Sequence, residues 1–184
     1  RLQLALQRMK TEMSLRNVFI FKESRADDYA MMQKAATIFD EIIQSAKKGD
    51  VKFYRGRYDT VILVDVVAPS SVNGKISIEI DIDIRDIPRN KKAIARSVVN
   101  VGGKKFSFGS AVAYPAGSSF NRQEYHAIRL DYTLSLEDPE NSGFHYEMWK
   151  KIVQEHLADV LLLSRTAVIH ELIHCLDAER DGSA

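Results

Sequence analysis

One segment of this chain alternates between isoleucine and polar residues over ten positions, and this alternation is the strongest constraint on the fold. Because successive side chains of a strand point to opposite faces of a sheet, the pattern predicts a strand with one apolar and one acidic face. Its acidic residues could also bind a cation, but a solvent-facing strand is polar in any case. The apolar positions are Ile76, Ile78, Ile80, Ile82 and Ile84, and the polar ones are Ser77, Glu79, Asp81, Asp83 and Arg85.

Helical and strand patterns follow one another along the chain in the order helix, sheet, helix. We expect helices over residues 24–48, 144–158 and 159–180, and further strands over 58–68, 97–101, 104–108 and 127–136. Residues 110–123 contain Pro115 and Gly117, which predict a loop. Together these elements predict an α+β fold, in which a twisted, mainly antiparallel or mixed β-sheet packs against helices.

Length and composition suit one domain with an appended arm. With 184 residues, 45% of them hydrophobic, the chain can bury a core without disulfides. We expect an N-terminal helical arm over residues 1–23, where the apolar spacing of Leu2 to Leu15 favours packing on a protein partner. Residues 24–184 then form a single domain, which we expect to be truncated at its C-terminus because the chain ends on Asp-Gly-Ser-Ala.

Charge and cysteine content exclude several classes of partner. Lys and Arg total 26 against 25 for Asp and Glu, so no bulk field attracts nucleic acid or an anionic membrane. An apolar run of about 18 residues, which a membrane span needs, is missing from the sequence. One cysteine excludes an internal disulfide and favours an intracellular or reducing compartment, although a virion is also compatible.

The run His170-Glu171-Leu172-Ile173-His174 carries the chemistry. Residues four apart lie on one face of a helix, so His170 and His174 can present imidazole nitrogens to one Zn²⁺. Glu171 can then hydrogen-bond a zinc-bound water and take its proton during attack on a carbonyl. The alternative is two core histidines beside a surface glutamate.

Residues 170–180 read HELIHCLDAER, which resembles the HELIHxxDxxR active-site helix of zincin-type zinc metallopeptidases. Phage-encoded HExxH proteins carry similar helices. The resemblance covers eleven residues and implies a zincin-like fold and a zinc-dependent endopeptidase that hydrolyses peptide bonds. It implies His170 and His174 as metal ligands and Glu171 as the general base. In zincins an edge strand before this helix pairs with extended substrate, and residues 128–136 are the nearest candidate, although they also fit an ordinary sheet strand.

Two further residues of the motif have predicted supporting roles. Asp177 lies on the same helical face as both histidines, where its carboxylate can accept a ring N–H, and Arg180 can pair with Asp177. An ordinary ion pair at the helix end explains both residues equally well. Direct binding of zinc by Asp177 is disfavoured, because residues seven apart are separated by roughly 10 Å along a helix.

The third protein ligand of the metal is unknown from sequence. Arg180 occupies the position where some zincins carry the third ligand, and a permanent cation cannot bind zinc. Internal candidates are Asp181, His145, Glu147, Glu155 and His156. Two functions therefore remain open: a peptidase that cleaves protein or peptide substrates, and a non-catalytic structural or assembly protein, such as a virion component, whose zincin-like site is incomplete.

Overall fold

A computed structural model describes residues 26–55, 61–85, 98–101, 104–135 and 146–180. A short 3-10 turn (Val72–Gly74) joins the second strand to the third. The predicted arm, residues 1–23, lies outside the described residues. The helices are α1 (Ala26–Lys48), α2 (Tyr146–Leu163) and α3 (Arg165–Arg180), and the strands are β1 (Val51–Arg55), β2 (Val61–Val67), β3 (Lys75–Arg85), β4 (Val98–Val101), β5 (Lys104–Tyr114) and β6 (His126–Ser135).

The six strands form one mixed sheet in the order β1-β2-β3-β6-β5-β4. Neighbouring strands run antiparallel except at the centre, where β3 and β6 pair in parallel. The predicted α+β class with a mixed sheet packed against helices is confirmed. No described helix is both long and apolar enough to cross a bilayer.

The alternation of β3 separates the core from the surface as the sequence predicts. Ile76, Ile78, Ile80 and Ile82 are fully buried and pack with apolar residues of all three helices. The intervening Ser77, Glu79 and Asp81 are half-buried on the opposite face. The helices therefore cover one face of the sheet, and the polar face of β3 lies on the other.

The acidic face of β3 is paired with an arginine. The guanidinium of Arg129 on β6 lies 2.6 Å from Asp81, 3.2 Å from Asp131 and 3.7 Å from Glu79. Burial raises the pKa of the Glu79 carboxyl, and the nearby Arg129 opposes that shift. Because a protein cation already occupies this cluster, the described residues give no support to a metal site here; the side chain of Asp83 lies outside them.

The last two helices divide at Ser164, so the helix predicted over residues 159–180 is wrong in its first five residues, which belong to α2. The Tyr132 hydroxyl on β6 donates to the Val160 carbonyl at 2.9 Å. That carbonyl would accept the Ser164 N–H in a continuous helix, and the Ser164 N–H instead donates to Leu161. A new helix follows, in which Val168 donates to the Ser164 carbonyl at 2.8 Å.

Strand β5 ends later than the sequence predicts. The strand continues to Tyr114, so the loop predicted over residues 110–123 begins too early. The register shifts between Phe108 and Ser110, which makes Gly109 a β-bulge. A Cβ on Gly109 would lie 3.2 Å from the Asp131 carbonyl oxygen, so the close approach of β6 favours glycine here. Strand β1 was not predicted.

Candidate metal centre

Helix α3 carries the HExxH motif and presents it beside β5. Its inner face is apolar and packs into the core shared by α1 and the sheet; the buried residues are Val168, Ile169, Leu172, Cys175 and Leu176. His170 is half-buried and His174 is exposed. The interpretation of these two residues as core histidines is therefore wrong, and both belong to the outer side of the helix.

The two histidine rings converge as the i, i+4 spacing predicts. The Nε2 atoms of His170 and His174 are 2.9 Å apart, with ring centroids separated by 4.6 Å. Two nitrogens on one tetrahedral Zn²⁺ are separated by roughly 3.3 Å when each Zn–N bond is about 2.0–2.1 Å. The observed pair differs from that spacing by roughly 0.4 Å, so the donor set fits a zinc ion after a small rotation of the rings.

Glu171 lies beside this pair. Ligand atoms of His170, Glu171 and His174 all lie within 4.8 Å of one another, the one such group of three among the described residues. Oε2 of Glu171 accepts a hydrogen bond from the backbone N–H of Ala113 on β5 at 2.9 Å. The carboxylate is thus held next to the Nε2 atoms of His170 and His174 by a strand of the sheet.

Asp177 and Arg180 form the predicted ion pair. The Arg180 guanidinium donates to the Asp177 carboxylate, and it also lies 3.8 Å from Asp28 at the start of α1. The side chains of Asp177 and Arg180 are about half exposed. Asp177 does not join the group of His170, Glu171 and His174. The contact with Asp28 ties the end of α3 to the start of α1.

The described residues do not supply a third ligand from α2. Glu155 is exposed, and the Nδ1 atom of His156 lies 3.8 Å from Asp159, where α2 has a local kink at His156 itself. Neither residue joins the histidine pair. His145 and Asp181 lie outside the described residues, as does the side chain of Glu147.

Cys175 follows His174 directly but faces the opposite way. Its side chain is fully buried. Burial raises the pKa of the Cys175 thiol from 9.0 to about 12, with repulsion from the carboxylates of Glu171 and Glu179 adding to the shift. A thiol that keeps its proton is a poor metal ligand, and the buried Cys175 does not belong to the group of His170, Glu171 and His174.

Sequence reasoning missed a contact between α3 and a histidine of β6. His126, the first residue of β6, is 1% exposed. Its Nδ1 accepts the Ala116 N–H at 2.9 Å, and its Nε2 lies 2.5 Å from Oε1 of Glu179. Since Nδ1 is an acceptor, the ring proton resides on Nε2 and is donated to Glu179. His126 and Glu179 are 53 positions apart, so no local pattern joins them.

The open edge beside the motif belongs to β5. Strand β4 pairs with β5 along Lys104–Ser107, and no described strand pairs with the same side of residues 108–114. Strand β6 lies between β3 and β5, so its described residues have no open edge. The hypothesis that residues 128–136 pair with substrate is therefore wrong for residues 128–135. Sequence reasoning missed Ala113, since its contribution is a backbone N–H.

No family model, curated protein or solved structure matches this chain.

Proposed function

We propose that this chain is a zinc-dependent metalloendopeptidase with a zincin-like architecture. The observation that carries the proposal is the convergence of His170, Glu171 and His174 within 4.8 Å of one another. Neutral imidazole nitrogens are ordinary zinc ligands, and a carboxylate in their immediate vicinity is suited to proton transfer. The remaining helix residues support the assignment, since the inner face is apolar and the motif face is accessible.

Each side chain has a distinct role in this proposal. His170 and His174 hold the ion through Nε2. A bound Zn²⁺ supplies Lewis acidity and a lowered pKa for water. Glu171 accepts a proton from the attacking water and returns it to the leaving amine. Asp177 and Arg180 act at a distance from the reaction by fixing the end of α3 against α1.

An extended peptide is the substrate class that the surroundings favour. The outer edge of residues 108–114 of β5 presents backbone donors and acceptors beside Glu171, and an extended chain can pair with such an edge. Pairing of this kind depends on the peptide backbone and needs no chain terminus, which favours an endopeptidase over an exopeptidase.

One observation favours a second candidate function. Among the described residues, only His170, Glu171 and His174 form the group, so a third protein ligand has no assigned residue. A structural or assembly protein with an incomplete zincin-like site would also contain this pair. It would bind little zinc and cleave nothing.

The first experiment measures zinc in the purified chain by elemental mass spectrometry. We expect near-stoichiometric zinc in the wild type, the loss of most of it in His170→Ala, and full retention in His156→Ala. The His156 variant is the matched control, because it removes a half-exposed histidine from a neighbouring helix. Little zinc in the wild type would favour the non-catalytic alternative.

The second experiment tests catalysis with an unbiased library of quenched fluorescent peptides. Glu171→Gln keeps the size and removes the base, so we expect it to retain zinc and to lose cleavage by about 10²–10⁴-fold. Glu155→Gln, an exposed change on α2, is expected to behave as the wild type. Cleavage that persists in Glu171→Gln would falsify the assignment of Glu171 as the base.

A further inference from the structure

The contact between Glu171 and Ala113 joins the two parts of the site. Glu171 belongs to α3, whereas Ala113 belongs to β5, and the 2.9 Å bond from the Ala113 N–H is to Oε2 alone. A carboxylate has two oxygens, so this bond leaves Oε1 for another partner. The bond is charge-assisted, which makes it stronger than a bond between neutral groups.

Strand β5 holds the Ala113 N–H in place because the strand is itself paired in the sheet. On its inner side it pairs with β6 along Ser110–Tyr114. Ala113 directs its N–H toward α3, and the period of two in a strand then directs the N–H of Ala111 to the same open edge. Ala111 packs against the core, and Ala113 shares its face of the strand. These two small side chains allow α3 to approach the edge.

We propose that the backbone N–H of Ala113 is the positioning group for Glu171, aiming the carboxylate at the metal-binding nitrogens of His170 and His174. The inference rests on the proposed zinc-dependent function. With Oε2 fixed by the strand, the rotation of the carboxylate is restricted and Oε1 is presented to whatever ligand lies beside the histidines. The same bond removes one donor from the open edge, so an extended peptide pairs with the strand without using the Ala113 N–H.

The contact itself is tested in the metal-free chain by amide hydrogen exchange, measured by nuclear magnetic resonance. We expect the Ala113 amide to exchange about tenfold faster in Glu171→Ala than in the wild type, because a hydrogen bond to a charged group is lost. The Ala111 amide, on the same edge, should not change. Equal exchange of the Ala113 amide in the two proteins would overturn the contact.

The positioning role is tested with backbone esters. Lactic acid replaces alanine without altering the side chain, so Ala113→lactic acid and Ala111→lactic acid each remove one N–H from the same edge. The probe is acetohydroxamate on the zinc-loaded chain. It chelates zinc, it is too short to pair with the strand, and it presents a proton that an aimed carboxylate accepts.

We expect the ester at Ala113 to weaken acetohydroxamate binding about tenfold, and the ester at Ala111 to leave it unchanged. The Glu171→Ala background separates positioning from structure. If the Ala113 ester weakens acetohydroxamate binding through Glu171, the weakening disappears in that background. If the ester instead disrupts the strand, the weakening persists.

The outcomes distinguish the two proposals. Stoichiometric zinc with equal acetohydroxamate affinity in the two esters overturns the positioning role and leaves the metal site intact. An ester effect that persists in Glu171→Ala overturns it as well. A chain that binds no zinc overturns the proposed function, and the positioning role falls with it. If the Ala113 ester does not fold, equal exchange of the Ala113 amide in the wild type and in Glu171→Ala still overturns the contact on which the positioning role depends.

Discussion

Halfway along α3, His170 and His174 face each other on the outer side of the helix, whereas near its C-terminal end Glu179 meets a histidine from β6 inside the protein. The Nε2 atoms of the first pair are 2.9 Å apart. His126, by contrast, is 1% exposed and has both ring nitrogens engaged, one by the Ala116 N–H and one by Glu179.

Helix α3 thus has an accessible histidine pair at its middle and a contact with a buried histidine at its C-terminal end. A histidine that uses both nitrogens inside the fold cannot bind a metal without breaking buried hydrogen bonds, and such bonds are costly to lose. Two rings that converge at an accessible surface can turn toward an ion with little disturbance of the core. Substitutions in the two regions should therefore separate zinc binding from folding.

The largest expected effect is the loss of zinc in His174→Ala. Structural zinc sites with four ligands bind with about 10–16 kcal/mol, so one ligand contributes roughly 2.5–4 kcal/mol and its removal weakens binding about 10²–10³-fold. His174 is exposed, so the free energy of unfolding of the metal-free variant should change by less than about 0.5 kcal/mol. Competition with a chromogenic chelator measures the affinity. Unchanged zinc affinity would contradict the assignment of the ligand.

The next largest effect is a loss of stability without a loss of zinc, which we expect in His126→Ala. Removing the ring leaves the buried Ala116 N–H without its acceptor and leaves a cavity, so we expect the free energy of unfolding to fall by about 3 kcal/mol. Zinc stoichiometry in the folded fraction should be unchanged. Urea unfolding of the metal-free chain measures the loss, with His156→Ala as the matched control on a half-exposed histidine. A variant as stable as the control would show that the buried contact is unimportant.

Cys175 sharpens the comparison, because it is adjacent to His174 in sequence but lies on the buried side. Burial raises its pKa from 9.0 to about 12, so the thiol is protonated in both states below pH 9 and ionises first in the unfolded chain above it. Its contribution to the free energy of unfolding is therefore fully present below pH 9 and decreases by about 1.4 kcal/mol per pH unit toward pH 12.

The measurement compares the wild type with Cys175→Ala in urea at about pH 8 and about pH 10. We expect the difference in stability between the two proteins to shrink by roughly 1.4 kcal/mol at the higher pH. Other groups, including Tyr132, titrate in both proteins and cancel in this difference. A difference that does not depend on pH would place the thiol in contact with solvent.

Strand β3 and the histidine pair could be predicted because each depends on a local period. The alternation from Ile76 to Ile84 defines a two-sided strand, and the spacing of His170 and His174 places both rings on one helical face. Those predictions used only the neighbours of each residue in sequence. The buried apolar face of β3 and the convergence of the two histidine rings therefore agree with the structure.

The remaining features depend on contacts between distant segments. The end of α2 is set by the hydroxyl of Tyr132, a residue of β6, and nothing near Ser164 in sequence marks the break. The bulge at Gly109 shifts the alternation of side chains between the two faces of β5, so the sequence pattern did not predict residues 110–114 as a continuation of the strand. The contacts of Ala113 and His126 with α3 join residues that are more than fifty positions apart.

The smallest expected effect compares the two glutamates of α3 at constant side-chain size. Glu179→Gln leaves the His126 Nε2–H with a neutral amide oxygen in place of a carboxylate, and Glu179 is 25% exposed. We expect the free energy of unfolding to fall by about 1 kcal/mol, the difference between a charged and a neutral hydrogen bond. Glu171→Gln leaves the Ala113 N–H at an open strand edge, where water can replace a weakened bond, so it should cost less than about 0.5 kcal/mol. Urea unfolding of the two metal-free variants gives both values. A larger loss in Glu171→Gln than in Glu179→Gln would mean that the contact with Ala113 stabilises the fold, and that the two ends of α3 are less separate in function than their geometry indicates.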